Sequence, residues 1–293
     1  MAKPRQLFGG DWTEQKLERV RKYLAAYTRI MHKQRFRFAY IDAFAGTGYR
    51  NLSQEDNPRQ LLLPELGESA TQEFLDGSAR IALRVTPRFT KYIFIEKSPG
   101  RFEELQKLRS EFPALASDII LVNADANAYI KDICENRRWD RHRAVLFLDG
   151  FGMEVEWKTV EAVAKTKAID LWYLFPLGVA VNRLLRRDGK IDESIRHRLN
   201  AIFGATDWFD TFYKLRTEST IFEKVTRVAK AASFDLIGHY FVKRLKEVFV
   251  GVAENPLPLY NSRNVPLYLL CFASGNPRGA PTAIRIAQNI LRR

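Results

Sequence analysis

The stretch Phe38-Ala-Tyr-Ile-Asp42-Ala-Phe44-Ala-Gly46-Thr-Gly48 decides how the rest of the chain is read. It begins as an apolar, β-prone run and ends in two glycines one residue apart. A buried strand entering a tight turn has this pattern, because glycine lets the backbone bend and lets a ligand approach it closely. Asp42 stands where the strand should stop. A dinucleotide fingerprint would carry a third glycine opening a helix at once. Here Tyr49, Arg50 and Asn51 follow instead, so the turn takes its meaning from the segments around it.

Downstream, strands and helices alternate. Lys91 to Glu96 predicts a second strand ending in an acid, and Ser98-Pro99 supplies an N-cap and a favoured first residue for the next helix. Phe102, Leu105, Leu108 and Phe112 share one face of that helix. Asp118 to Asp125 predicts the third strand and Asn127 to Arg137 a helix. Arg143 to Asp149 predicts the fourth strand, followed by Gly150-Phe151-Gly152. Trp157 to Lys167 predicts a helix and Asp170 to Pro176 the fifth strand. Five such alternations predict an α/β fold, a parallel sheet with helices on both faces. Ligands of such sheets bind beyond the carboxyl ends of the strands, so Asp42, Glu96, Asp125 and Asp149 are expected on one rim. The long gap between Asp42 and Glu96 requires an insertion, and residues 49–76, with no clean period, read as a lid.

Upstream, Asp11 and Glu14 predict a capped helix from Trp12 within an N-terminal element of residues 1–37. Leu17, Val20, Tyr23, Leu24, Tyr27, Ile30 and Met31 recur at helical spacing, which leaves Lys16, Arg19, Arg21, Lys22 and Arg29 for the remaining surface. Beyond the fifth strand, residues 181–243 break the alternation and read as an α-helical insertion. Its expected helices cover 180–187, 193–203, 208–213 and 221–232. Arg244 to Val252 and Val265 to Ser274 predict two last strands, and Pro281 to Leu291 a closing helix. The whole chain, 1–293, reads as a single domain with a seven-stranded, mostly parallel sheet.

Hydrophobic residues make up 46% of the 293 and charged ones 28%, as in a soluble globular protein. The longest apolar run, Val265 to Ala273, falls well short of the roughly 20 residues that span a bilayer. A cytoplasmic chain with no membrane span is expected. Two cysteines, Cys134 and Cys271, predict no disulfide, and four scattered histidines predict no metal site. The net charge of +13 favours nucleic acid as partner, with a protein partner as the alternative. The excess is uneven: residues 1–37 carry ten Lys/Arg against three acids.

Four acid-terminated strands on one rim suit a ligand bearing an amine and hydroxyls. Glu96 is placed to accept both hydroxyls of a ribose, and Asp125 a hydrogen bond from an adenine amino group. Gly46 and Gly48 leave room for the ligand. Asp42 can orient the turn or pair with a ligand ammonium through water.

Asp42-Ala-Phe44-Ala-Gly46-Thr-Gly48, Gly77-Ser78, Ile95-Glu96-Lys97, Phe147-Leu-Asp149-Gly-Phe-Gly152 and Trp157 together resemble the three-Cys-motif partner (TcmP) family. The Trp12-Thr-x-x-Lys16 helix and Leu174-Phe175-Pro176 look similar too, so the resemblance spans nearly the whole chain. That family in turn looks like class I S-adenosylmethionine-dependent methyltransferases, whose Rossmann-like sheet ends in a hairpin with one antiparallel strand. The resemblance implies S-adenosylmethionine as cofactor. It implies a pocket of Asp42, Phe44, Ala45, Gly46, Thr47, Gly48, Ser78, Glu96, Lys97, Asp125 and Ala126. It also implies a reaction centre at Asp149 and Phe151. Amino-methylating relatives follow the acid or amide with Pro-Pro-aromatic, whereas this chain has Gly150-Phe151-Gly152 and neither proline. Trp157 reads as core. A methyltransferase acting on nucleic acid is expected; the alternative is a non-catalytic module of the same fold that binds nucleic acid or a partner protein.

Overall fold

The computed structural model describes residues 12–45, 77–150, 152–219 and 224–292. The first half runs α1 (Trp12–Met31), β1 (Arg37–Asp42), α2 (77–83), β2 (Lys91–Ile95), α3 (Pro99–Glu111), β3 (Ile119–Val122), α4 (Ala126–Asn136) and β4 (His142–Leu148). Then come α5 (Trp157–Lys165), β5 (Ile169–Phe175), a π-helical turn Leu177–Val181 and α6 (Asn182–Leu184). The chain continues through α7 (Glu193–Phe203), α8 (Trp208–Phe212), β6 (Tyr213–Ser219), β7 (Lys224–Lys230) and α9 (Phe234–Val248). It closes with β8 (Gly251–Val252), β9 (Leu257–Tyr260), β10 (Pro266–Ser274) and α10 (Ala280–Leu291).

The main sheet has eight strands, with path order β3-β2-β1-β4-β5-β10-β8 and β9 paired to β10. β1 to β5 are mutually parallel, and β10 runs antiparallel to β5. Strand order reverses between β1 and β4, the switch point where α/β sheets open a crevice. Side chains alternate across the sheet as a period of two requires. In β4, Ala144, Leu146 and Leu148 enter one core, lined by α4, α5, α7 and α9. Val145 and Phe147 enter the other, lined by α1, α2, α3 and α10. This is a Rossmann-like α/β architecture, a mostly parallel sheet with helices on both faces and a late antiparallel strand.

Several expectations need correction. The sheet gains an eighth strand because Leu257–Tyr260, expected as loop, pairs with β10. The insertion is not wholly helical: 221–232, expected as helix, contributes β7, which pairs with β6 over seven residue pairs. Arg244 to Val252, expected as a strand, is mostly the end of α9. Ser233 caps that helix, its side chain accepting from the Leu236 N–H at 3.1 Å, and only Gly251–Val252 is extended. Lys16, expected on the solvent face of α1, is fully buried. The expected lid at 49–76 lies outside the described residues.

Candidate functional site

The rim is built by the ends of adjacent strands, and main-chain bonds carry the ladder past those ends. Ala43 N–H donates to Phe147 O at 3.1 Å, Ala45 N–H to Ile95 O at 3.0 Å, and Glu96 N–H to Val122 O at 3.0 Å. The turn after β1 is thereby pinned over β2 and β4. Phe44 and Ala45 are buried in it. Gly150 lies so close to the Phe44 ring that a Cβ there would sit 3.3 Å from it.

Asp42 and Glu96 are each 1% exposed at the ends of neighbouring strands. Tyr40 donates its hydroxyl to Asp42 Oδ2 at 3.2 Å, while Oδ1 is buried with no hydrogen-bond partner. Glu96 Oε1 accepts from the Ser98 N–H at 2.6 Å and faces Arg101 at 3.5 Å, and Oε2 is again buried with no hydrogen-bond partner. An unmet buried acceptor costs about 1–3 kcal/mol, more for a charged group. Burial is the main cause that raises the Asp42 carboxyl to about 7, with the Asp149 charge adding to it, against the nearby Ser78 and Tyr40 hydroxyls and the Lys16 charge. Burial likewise raises Glu96, against the Ser98 N–H and Arg101.

Asp125 caps α4, its Oδ1 accepting from the Ala128 N–H at 3.1 Å, and Lys97 reaches its Oδ2 at 3.3 Å. Burial alone would push this carboxyl up; the Ala128 N–H and Lys97 outweigh it and leave it below its ordinary value. Ala126, the first residue of α4, is buried. Thus Phe44, Ala45, Ser78, Glu96, Lys97, Asp125 and Ala126 all lie along the β1-β2-β3 side of the rim. Gly46, Thr47, Gly48 and Phe151 lie outside the described residues.

Asp149 follows β4 across the switch point from Asp42. Its Oδ2 is ion-paired with Lys16, whose side chain α1 delivers to the site with no solvent exposure. The ammonium also lies 5.3 Å from the Phe147 ring centroid and 5.9 Å from that of Trp12. Trp12 in turn stacks on Tyr268 at 5.0 Å. Burial lowers the Lys16 ammonium to about 8, opposed by Asp149 and then Asp42. The sequence named the helix carrying Lys16 but not this role; one lysine at helical register with Trp12 and Val20 was the available signal.

Two amides that sequence reasoning missed hold the rim together. Asn123 Nδ2 donates to Glu96 O at 2.7 Å and Lys97 O at 3.1 Å. Asn127 accepts from Glu156 N–H and Thr159 Oγ1 and donates to Glu154 O. Trp157 is core, as expected, 2% exposed and edge-on to Phe241.

No family model and no curated protein matches the chain. Solved structures do. A protein of Legionella pneumophila str. Philadelphia 1, LPL1258, is 12% identical with a TM-score of 0.50, the match covering 97% of this chain and 92% of that one. Magnesium protoporphyrin IX methyltransferase of Synechocystis PCC 6803 with bound SAM is 13% identical, TM-score 0.31, over 74% and 78%. TYW2 of M. jannaschii in complex with AdoMet is 12% identical, TM-score 0.32, over 92% and 77%. At such identities the likeness to the Legionella protein concerns the fold alone. No helix among the described residues is long and apolar enough to cross a membrane.

Proposed function

We propose that this protein is an S-adenosylmethionine-dependent methyltransferase of the three-Cys-motif partner type that acts on nucleic acid. The observation that carries the reading is the Glu96 carboxylate, buried at the end of β2 with Oε2 unmet. A vicinal diol donates two hydrogen bonds in the direction such an oxygen needs. Asp42 Oδ1, unmet on the neighbouring strand, suits an ammonium or a water that it holds. Asp125 and Ala126, one strand further, flank the end of the crevice where an adenine would lie. The residues present therefore fit the cofactor. When bound, it supplies an electrophilic methyl group on a sulfonium.

The chain's own task is then to hold and orient the acceptor. Lys16 takes Asp149 Oδ2 and so fixes the direction of Oδ1, which can accept an N–H from an acceptor amine. Alignment of that kind, with a fixed acceptor for developing positive charge, is where most of the rate would come from. Gly150, where amino-methylating relatives have proline, makes room for the Phe44 ring.

The same ion pair favours a second reading, a non-catalytic module in which Asp149 serves only to neutralise a buried lysine. Calorimetric titration of S-adenosylhomocysteine tests the first step: wild type binds, and Glu96→Gln weakens binding at least about tenfold, as loss of a charged acceptor would. Failure of the wild type to bind overturns the proposal. With binding established, Asp149→Asn separates the readings. Loss of methyl transfer to nucleic acid with cofactor binding intact marks the enzyme; unchanged nucleic-acid binding by a protein that never transfers a methyl group marks the module.

A further inference from the structure

The insertion after β5 ends in the antiparallel ribbon β6–β7, and its two faces differ. On one face Tyr213 is opposite Lys230, Leu215 opposite Val228 and Thr217 opposite Thr226. This face turns toward the body at its base. Tyr213 donates its hydroxyl to Arg186 O at 2.9 Å, and Lys230 Nζ reaches Asn182 O and Oδ1 at 2.9 and 2.7 Å. Val228 lies against Gly189. The other face holds Lys214 opposite Ala229, Arg216 opposite Arg227 and Glu218 opposite Val225. Lys214, Arg216 and Arg227 are all exposed.

Two arginines directly opposite each other put like charges on side chains whose Cβ atoms are about 5 Å apart, which destabilises a ribbon. Among the described residues neither guanidinium has an ion pair. The ribbon is anchored by Tyr213 and Lys230 on one face and by Lys214 Nζ, which donates to Asp210 O at 2.9 Å, on the other, and none of these anchors needs the arginine pair. An anion bridging the two would remove the repulsion. The insertion leaves the sheet at the carboxyl end of β5, the edge that bears Asp42, Glu96 and Asp149. Two-stranded ribbons are narrow enough to follow a nucleic-acid groove.

We infer that β6–β7 is an arm that grips the phosphodiester backbone of the nucleic-acid substrate, with Arg216 and Arg227 on successive phosphates. This rests on the nucleic-acid part of the proposed function. Each phosphate neutralised releases condensed counterions, so affinity through the arm falls steeply with salt.

The test is fluorescence anisotropy of the full chain with a labelled RNA hairpin and a labelled DNA duplex of the same sequence, titrated over about 50–300 mM KCl. Arg216→Gln/Arg227→Gln is compared with Lys243→Gln/Arg285→Gln, which removes the same charge from exposed positions on α9 and α10. The arm variant should lose at least about tenfold in affinity, and its salt slope should fall by about 1–2, as two lost phosphate contacts require. The control should keep the wild-type slope. The arm variant's thermal midpoint should be unchanged or higher, because the like-charge pair is gone. A wild type that binds either probe, with the arm variant matching it in slope, overturns the arm and leaves the nucleic-acid reading standing. A wild type that binds neither probe overturns both. Whichever probe binds more tightly identifies the substrate as RNA or DNA.

Discussion

At the scale of single residues the site turns on one buried cation. Lys16 has no contact with water, and Asp149 and Asp42 are the charges that stabilise it. Removing one member of a buried pair leaves the other uncompensated, which typically costs about 3–5 kcal/mol. Lys16→Met should therefore destabilise the protein by about 3 kcal/mol near pH 7, where the ammonium is still charged. The loss should grow above that pH. Asp42 already holds its proton up to about pH 7, and without the ammonium that value rises further. A carboxyl raised in the folded state costs stability as pH climbs from its unfolded value through its folded one. The variant's deficit against wild type should thus stay constant below about pH 7, where both proteins hold the Asp42 proton, and grow between about pH 7 and pH 8, where the cost continues to mount only in the variant. Urea unfolding at both ends of the range checks this; a deficit independent of pH would show that Asp42 and Lys16 do not share a field.

At the scale of elements, two glycines with the same backbone conformation separate conformational strain from packing. Gly152 has φ +62° and nothing within 4 Å of a built Cβ, whereas Gly204 has φ +61° and a Cβ there would lie 1.9 Å from Trp157 Cδ1. Gly204 ends α7 in the left-handed conformation, its N–H bonded to Asn200 O at 2.8 Å. Alanine at either position carries the left-handed cost of about 1 kcal/mol. Only at 204 does it also overpack, adding about 1–3 kcal/mol. Gly204→Ala should lower the thermal midpoint clearly more than Gly152→Ala, and equal effects would mean that Trp157 moves aside freely. These elements also show what the sequence could tell. β1 to β5 were legible because buried parallel strands are short apolar runs between acids and caps. α7 was legible from its period. α9 was not, because Val248-Phe249-Val250 looks like a strand although Ser233 caps a helix that runs to Val248. The β6–β7 ribbon was hidden because its exposed positions mix Leu215 with basic residues, giving no clean alternation. The four rim acids were legible from strand ends, but Lys16, Asn123 and Asn127 act across more than one element, and no local pattern marks that.

At the scale of the whole molecule, acid response pits two effects against each other. A chain of net charge +13 becomes more positive as carboxylates protonate, and self-repulsion then favours unfolding. Buried carboxyls act in the opposite direction. Asp170, deep beside β10, accepts from Tyr23 OH at 2.7 Å and Ser274 Oγ at 2.6 Å. Burial nevertheless raises it to about 6, against those two hydrogen bonds and Arg143. The folded protein therefore holds a proton at Asp170 between roughly pH 4 and pH 6 that the unfolded chain has lost, and the group's contribution falls with rising pH over that window. The slope is at most about 1.4 kcal/mol per pH unit for one group. The global charge term is nearly the same in wild type and Asp170→Asn, so subtracting their unfolding free energies isolates the residue. The difference should run against wild type as pH rises from about 4.5 to 6.5 and level off beyond it. Asparagine keeps the shape and can still accept from one hydroxyl, so the variant should fold. A flat difference across the window would mean that Asp170 stays ionised inside the core, held by Tyr23 and Ser274 more strongly than burial opposes it.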